Sequence, residues 1–279
     1  MKLEVFMEKY KIVIFSDLHY APELPVNNGS KIDRKLILLA EPLLEKITEE
    51  INEKIKPDLV INLGDTIEDF NEKEKDLVNL EYIWNKYKKI NSKFVSCVGN
   101  HDLRSMDNRE EVEKIFGYNH TTFSFDYNGL HIVVLGTYVN NELGTAEGGI
   151  FKTQFVSNED VLWLENDLKS TNLPTIVCLH FGLAEDDMKG NWWFESCPDT
   201  ALLGNRKEIK QILKSNKNVL GVFSGHQHWT KVIEENGVPY YVLGSLAENI
   251  NNDGIPDGVY FIVEFDGTEV DVKTHHIKL

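Results

Sequence analysis

Six short runs of apolar and β-branched residues recur along the chain: KIVIFSD (11–17), DLVINLGD (58–65), KFVSCVGN (93–100), HIVVLGTY (131–138), TIVCLH (175–180) and NVLGVFSGH (218–226). Near-continuous apolarity is the mark of strands buried on both faces, so the sheet they form must be covered on two sides. Between many of these runs lie stretches with helical spacing, at 34–55, 75–90, 157–170 and 205–216. Strands alternating with helices predict an α/β fold. Pro42 is expected to kink or break the first helix. Ser157, with Asp160 three residues on, is expected to cap the third. The runs VPYYVLGS, GVYFIVEF and TEVDVKTHHI near the C-terminus have no helices between them, and Asp266-Gly267 suits a hairpin turn joining the last two. The sheet is therefore expected to be mixed, with antiparallel strands at its end.

The chain has 279 residues, enough for one large domain or two small ones. No internal repeat, low-complexity tract or linker divides it, so a single domain over 1–279 is expected. A formal net charge of −16 argues against nucleic-acid partners, which need Lys and Arg to displace backbone counterions. It leaves a small anionic substrate open, since a bound metal reverses the local sign. Three cysteines (Cys97, Cys178 and Cys197) make no disulfide framework and suit a reducing compartment. Cys97 and Cys178 lie in apolar runs and read as small core residues. The start MKLEVFMEKYKIVIF lacks a signal-peptide core, and no run approaches the ~20 apolar residues of a spanning helix. A cytoplasmic protein without a membrane partner is expected.

Five of the six runs end in metal-ligand residue types. The first ends in SDLH, giving Asp17 and His19; the second in GD, giving Asp65; the third in GNHD, giving Asn100, His101 and Asp102. The fifth ends in His180 and the sixth in GHQH, giving His226 and His228. In open α/β sheets ligands bind beyond the carboxyl ends of the strands, so these residues are expected to converge. In extended backbone, residues two apart point the same way, which would let Asp17 with His19, and His226 with His228, face one site. Each motif alone has a plain reading: Gly, Asn and Asp suit turns, and a lone histidine is usually a satisfied core or edge residue. Five turns choosing ligand types in this order at five strand ends is what decides for a site. A nitrogen and oxygen donor set without thiolate suits Mn, Fe, Co, Ni or Zn. The donors are too many for one ion and fit two divalent ions, as in metal-assisted displacement at phosphorus, with Mn favoured.

In this order the motifs DLH, GD, GNHD, His180 and GHQH resemble those of the calcineurin-like metallophosphoesterases, and the likeness spans residues 17 to 228. The resemblance implies two packed mixed β-sheets flanked by helices, with a dinuclear metal centre at the strand ends. Carried over position by position, it implies that Asp17, His19 and His228 bind one metal. Asn100, His180 and His226 would bind the other, and Asp65 would bridge both. It further implies that His101 faces the substrate phosphate and leaving group, with Asp102 orienting it. In-line attack by a hydroxide shared between the two dications, with His101 protonating the leaving oxygen, is the expected chemistry. Purple acid phosphatases are similar but carry a tyrosine ligand three residues after the GD aspartate, where this chain has Glu68. Some related nucleoside-diphosphate hydrolases have Gln where this chain has His19.

The segment FGLAEDDMKGNWWFESCPDTALLGNR (181–206) carries Trp192, Trp193 and Phe194 together. Loops at the active end of an α/β scaffold carry specificity, so Trp192 and Trp193 are candidates for stacking a nucleobase or sugar. A loop anchor or dimer contact is the plainer reading. Gly204, Asn205 and Arg206 are expected to cap the following helix, with an approach to substrate as the alternative. Arg104 and Arg109 are expected to pair either with phosphate or with nearby acids. Two function classes follow. One is a hydrolase of small phosphomonoesters or phosphodiesters, nucleotide-derived ones among them, with cyclic-nucleotide phosphodiesterase and nucleotide pyrophosphatase as alternatives. The other is a non-catalytic docking module, against which the full set of ligand types speaks. The sequence sets no oligomeric state.

Overall fold

The structure is a computed structural model that describes residues 9–24, 33–140, 145–146, 149–150, 153–251 and 254–279. Along the chain run β1 (Tyr10–Phe15), α1 (Ala40–Glu49), β2 (Leu59–Asn62), α2 (Lys73–Tyr87), β3 (Lys93–Ser96), α3 (Asn100–Leu103) and α4 (Glu110–Phe116). Next come β4 (Phe123–Tyr127), β5 (Leu130–Val134), the short strands β6 (Tyr138–Asn140), β7 (Thr145–Ala146), β8 (Gly149–Ile150) and β9 (Thr153–Phe155), and α5 (Asn158–Ser170). The rest comprises β10 (Thr175–Cys178), α6 (Arg206–Ser215), β11 (Val219–Ser224), β12 (Lys231–Glu235), β13 (Val238–Val242), β14 (Val259–Phe265) and β15 (Val270–His276).

Two mixed sheets result. One has the order β15-β14-β1-β2-β3 and the other β12-β13-β11-β10-β5-β4. Strands β1, β2 and β3 run parallel, as do β5, β10, β11 and β13, while β14, β15, β12 and β4 are added by antiparallel pairing. Alternation within each strand explains the double-faced apolarity. Ile12, Ile14 and Ile61 of the first sheet meet Ile132, Ile176 and Phe223 of the second in a shared core. The alternate residues Val13, Phe15 and Val60 turn outward onto α1 and α2. Val133, Val177 and Val222 turn outward with Leu164 of α5 and Ile209 of α6. Four layers, helix, sheet, sheet and helix, thus arise from one period-2 pattern.

The expected helices stand, with two corrections. Pro42 neither kinks nor breaks α1: it lies in the first turn, where its missing N–H leaves no helix bond unmade. The irregularity comes later, where the helix widens to a π-type turn over Glu50–Ile55 and stops at Lys56 with φ 50°. Ser157 caps α5 as expected, its side chain accepting from Asp160 N at 3.0 Å. The expected cap at α6 is not formed: Asn205 instead pairs with both backbone groups of Val156, and Arg206 with Glu185 and Asp199. The hairpin at Asp266-Gly267 joins β14 to β15. Cys97 and Cys178 are buried. Among the described residues, no helix is long and apolar enough to cross a membrane.

Candidate metal centre

The candidate ligands follow the carboxyl ends of β1, β2, β3, β10 and β11, and the two sheets bring those ends together. Asp17, His19, Asp65, Asn100, His180, His226 and His228 all meet there. The Nε2 atoms of His19 and His228 face each other at 2.9 Å, and Asp17 Oδ1 lies 3.2 Å from the latter and 3.7 Å from the former. Asp65 Oδ2 stands between His19 Nε2 at 3.7 Å and His180 Nε2 at 3.3 Å. His180 Nε2 also lies 3.2 Å from Asn100 Oδ1. Ligand atoms around one first-row ion at ~2.1 Å are about 3–3.5 Å apart, so this spacing suits shared ions. Among the described residues, three groups are spaced to hold an ion: Asp17, His19 and His228; His19, Asp65 and His101; and Asp65, His180 and His226.

Backbone conformation presents these side chains differently from expectation. Asp17 and His19, and His226 and His228, do not face the site through extended alternation. Asp17 (φ 53°), His19 (51°), Asp65 (51°), His226 (65°) and His228 (50°) are all left-handed. Left-handed backbone is uncommon outside glycine, and strained residues of this kind gather at functional sites. Tight approach of the loops fixes the rest. A Cβ on Gly99 would strike Asp65, and one on Gly225 would strike Ser16 and Asp17.

The electrostatics suit a cation. Burial opposes charge on Asp17 and Asp65, yet the facing histidines hold both carboxyls well below their ordinary range. Burial likewise opposes protonation of His180 and His228. Asp65 outweighs it at the first, pushed up to about 9, and Glu248 with Asp17 at the second, pushed up to about 10. His226 goes the other way, held well below its ordinary value by burial and by the neighbouring His180. Buried carboxylates that stay charged beside imidazoles are a setting that divalent ions fit.

Behind the histidines stands a ring of groups that the motifs did not reveal. Glu248, fully buried, accepts a hydrogen bond from His228 Nδ1. Glu68 Oε2 lies 2.9 Å from His19 Nδ1, and the facing imidazoles and Lys35 hold its carboxyl well below the ordinary range against burial. Backbone oxygens back the other pair: Leu63 O is 2.9 Å from His180 Nδ1, and Thr200 O is 3.1 Å from His226 Nε2.

His101 is buried beside the cluster, its backbone N–H donating to Asp65 Oδ1 at 2.8 Å. The carboxylate on its ring is Asp69, with Oδ1 2.5 Å from Nδ1. The expectation for Asp102 is thereby corrected. Its carboxylate instead accepts the backbone N–H groups of Thr66 (2.9 Å), Ile67 (3.3 Å) and Gly99 (2.9 Å), splicing the second and third loops together. Burial, helped by Lys35 and Arg104 against the pull of Glu68, lowers His101 to about 4.

A pocket of about 340 Å³ opens over the cluster, lined by Lys35, Glu68, Arg104, Trp193 and Phe194 as well as candidate ligands and His101. Lys35 Nζ reaches Glu68 at 2.7 Å and His101 Nε2 at 3.0 Å. Arg104 pairs with Asp69 at 2.7 Å. Arg109 points elsewhere, to Thr121, the Thr137 carbonyl and the Tyr138 ring. Of the two candidate stacking residues, Trp193 lines the pocket. Trp192, 61% exposed, carries Arg34 over its ring at 4.1 Å and stands outside. Lys35, Asp69 and Glu248 left no mark in the sequence beyond being charged residues in loops; Glu68 was visible only as the residue replacing a tyrosine.

The calcineurin-like phosphoesterase family model matches residues 10–230. No curated protein sequence matches the chain. Among solved structures, a dimetal phosphatase from Danio rerio is similar at TM-score 0.68 and 14% identity, over 95% of this chain and 98% of that one. Phosphopantetheinyl hydrolase from Mycobacterium tuberculosis is similar at TM-score 0.52 and 14% identity, over 85% and 90%. GAP50, the anchor in the inner membrane complex of Plasmodium, is similar at TM-score 0.58 and 10% identity, over 97% and 89%. At such identities these neighbours establish the shared fold, while the family model, covering most of the chain, establishes kinship: the protein belongs to the calcineurin-like phosphoesterase family.

Proposed function

We propose that this protein is a dinuclear-metal-dependent hydrolase of small phosphate esters, nucleotide-derived ones included. The observation that carries the reading is the convergence of seven nitrogen and oxygen ligands beneath a pocket with two cations on its wall. Asp17, His19 and His228 would hold one divalent ion and Asn100, His180 and His226 the other, with Asp65 between them. Bound ions supply Lewis acidity toward a phosphoryl oxygen and toward water, and the nitrogen and oxygen donor set suits first-row divalent ions such as Mn, Fe, Co, Ni or Zn.

The chain's own residues do the remainder. Lys35 and Arg104 lie where they can take up negative charge on a phosphoryl group. His101, beside them, turns Nε2 toward the pocket, where the ring would deliver a proton to the leaving oxygen once that nitrogen is protonated. Trp193 and Phe194 give an apolar wall for the organic part of the ester and keep water from that side. Cyclic-nucleotide phosphodiesterase and nucleotide pyrophosphatase activities fall within the same chemistry. A docking role, such as the anchor function named for GAP50, is compatible with the fold, since one fold serves many functions. The complete ligand set favours the enzyme.

The test is a substrate panel of aryl mono- and diesters, nucleotides and cyclic nucleotides, run with Mn-loaded and metal-stripped protein. Hydrolysis should vanish on chelation and return with Mn, Co or Ni. Full activity in metal-free protein would sink the reading.

A further inference from the structure

The aromatic loop that walls the pocket is pinned onto the GHQH segment itself. Asn191, fully buried, donates from Nδ2 to the carbonyl of Gln227, the residue between His226 and His228, at 2.9 Å. Its Oδ1 accepts the backbone N–H of Trp193 at 3.0 Å and of Phe194 at 3.2 Å. The indole N–H of Trp193 then points inward and donates to both oxygens of Glu248, at 2.8 and 3.0 Å. Glu248 in turn accepts from His228 Nδ1. Further along the same loop, the Thr200 carbonyl meets His226 Nε2, and the Phe194 ring lies 5.0 Å from the His226 ring.

A second connection runs from the opposite wall. Arg34 and Lys35 are adjacent in sequence, and each takes one of the two carboxylates behind the histidines. Arg34 Nε lies 3.1 Å from Glu248 Oε1, and Lys35 Nζ lies 2.7 Å from Glu68 Oε2. The same two cations lie over the rings of Trp192, at 4.1 Å, and Trp193, at 5.6 Å. The pocket wall and the outer sides of His19 and His228 therefore form one hydrogen-bonded and ion-paired unit.

We propose that Trp193 is a positioning residue for the metal ligand His228, acting through Glu248, so that the substrate-facing loop and the Asp17, His19 and His228 metal position are energetically coupled. The inference rests on the metal-centre reading given above. Outer carboxylates orient a ligating histidine and raise its donor strength, and their loss weakens metal binding by about 10–100-fold. An indole N–H that fixes both oxygens of Glu248 holds that carboxylate in the orientation His228 needs. By reciprocity, a ligand that rigidifies the Trp193 wall tightens metal binding at this position, and metal bound there tightens the ligand.

The experiment measures Zn and Co affinity of stripped protein by chelator competition, with no turnover involved. Trp193→Phe keeps an aromatic side chain and removes the indole N–H together with the five-membered ring that carries it. It should lose roughly 10-fold in affinity for one of two ions, and Glu248→Gln about 10–100-fold for the same ion. Because both act along one line, the double variant should be no weaker than Glu248→Gln alone. Trp163→Phe, an indole deletion on α5 far from the site, should match wild type. Wild-type metal affinity in Trp193→Phe, or additive losses in the double variant, would overturn this proposal while leaving the metal-centre reading standing. Absence of divalent-ion binding in wild type would overturn both.

Discussion

The Oδ1 atom of Asp69 lies 2.5 Å from Nδ1 of His101, and the same oxygen takes Arg104 Nη1 at 2.7 Å. On the far side of the ring, Lys35 Nζ stands 3.0 Å from Nε2. An ammonium has no lone pair to offer, so Nε2 accepts there, and the ring proton sits on Nδ1 facing the carboxylate. The orientation of the imidazole over the pocket is therefore set by two groups from different loops.

Asp69 and Asp102 separate by their variants. Asp69→Asn should keep metal content and thermal stability near wild type while lowering turnover by about 10²-fold, the low end of what acid–base help contributes. Asp102→Ala, which strands three buried backbone N–H groups, should instead lower stability by roughly 2–4 kcal/mol in urea titrations. The reverse pattern would return the orienting role to Asp102.

His101→Asn tests the proton at the leaving oxygen. Turnover of alkyl or nucleoside esters should fall by about 10²–10⁴-fold with metal retained. A p-nitrophenyl ester, whose leaving group hardly needs a proton, should lose much less. Equal losses across leaving groups would reduce His101 to a stabiliser of charge, and loss of metal would make it a ligand.

Gly99 is required for space and not for its backbone, since φ −96° suits any residue. A methyl group there would overlap Asp65 Oδ1 and its backbone N. Gly99→Ala should therefore push Asp65 aside and abolish tight metal binding. Elemental analysis of the purified variant is the check, and two ions still bound would contradict the placement of Asp65 between the metal positions.

Far from the site, His131 of β5 lies 2.6 Å from Asp126 and 2.9 Å from Asp167 of α5. Burial alone would lower it, but the two carboxylates outweigh burial and raise it above its ordinary value. A raised folded-state value means the stabilisation is complete below the unfolded value near 6.5 and is lost as pH rises through the folded one. His131→Gln should thus melt about 2–4 °C below wild type at pH 5.5, and the gap should close toward pH 9. A gap independent of pH would show that packing, not charge, is what His131 contributes.

The sequence disclosed the site through residues that are chemically out of place at strand ends. Asn, Asp and His after an apolar run need a reason, and five such runs supplied one. The groups behind them stayed hidden, because a glutamate such as Glu248, in a loop 20 residues past His228, looks like any solvated acid until the fold buries it. Sheet membership was equally mute. Val238–Val242 and Val259–Phe265 read as neighbours at one end of a sheet, yet β13 joins the second sheet and β14 the first. Apolar alternation says that a strand is covered, not by which partner. Two edge strands, β4 and β12, were not anticipated, since their solvent-facing halves dilute the apolar signal. Their turns were legible all the same: Asn128-Gly129 and Asn236-Gly237, each with positive φ at both residues, are the pairs that close two-residue hairpins.

The five left-handed ligand residues carry a cost of order 1 kcal/mol or more each, a sum comparable to the whole net stability of a typical domain. Unfolding releases that strain, whereas ion binding, on the proposed reading of the site, would give the native state its compensation. Metal supply would then act on the lifetime of the molecule as well as on its chemistry. Stripped of ions, the native ensemble opens more often, and opened chains are what proteases consume. A cell short of metal would read out that shortage as fewer copies of this protein, before any effect on the rate of each surviving copy is counted.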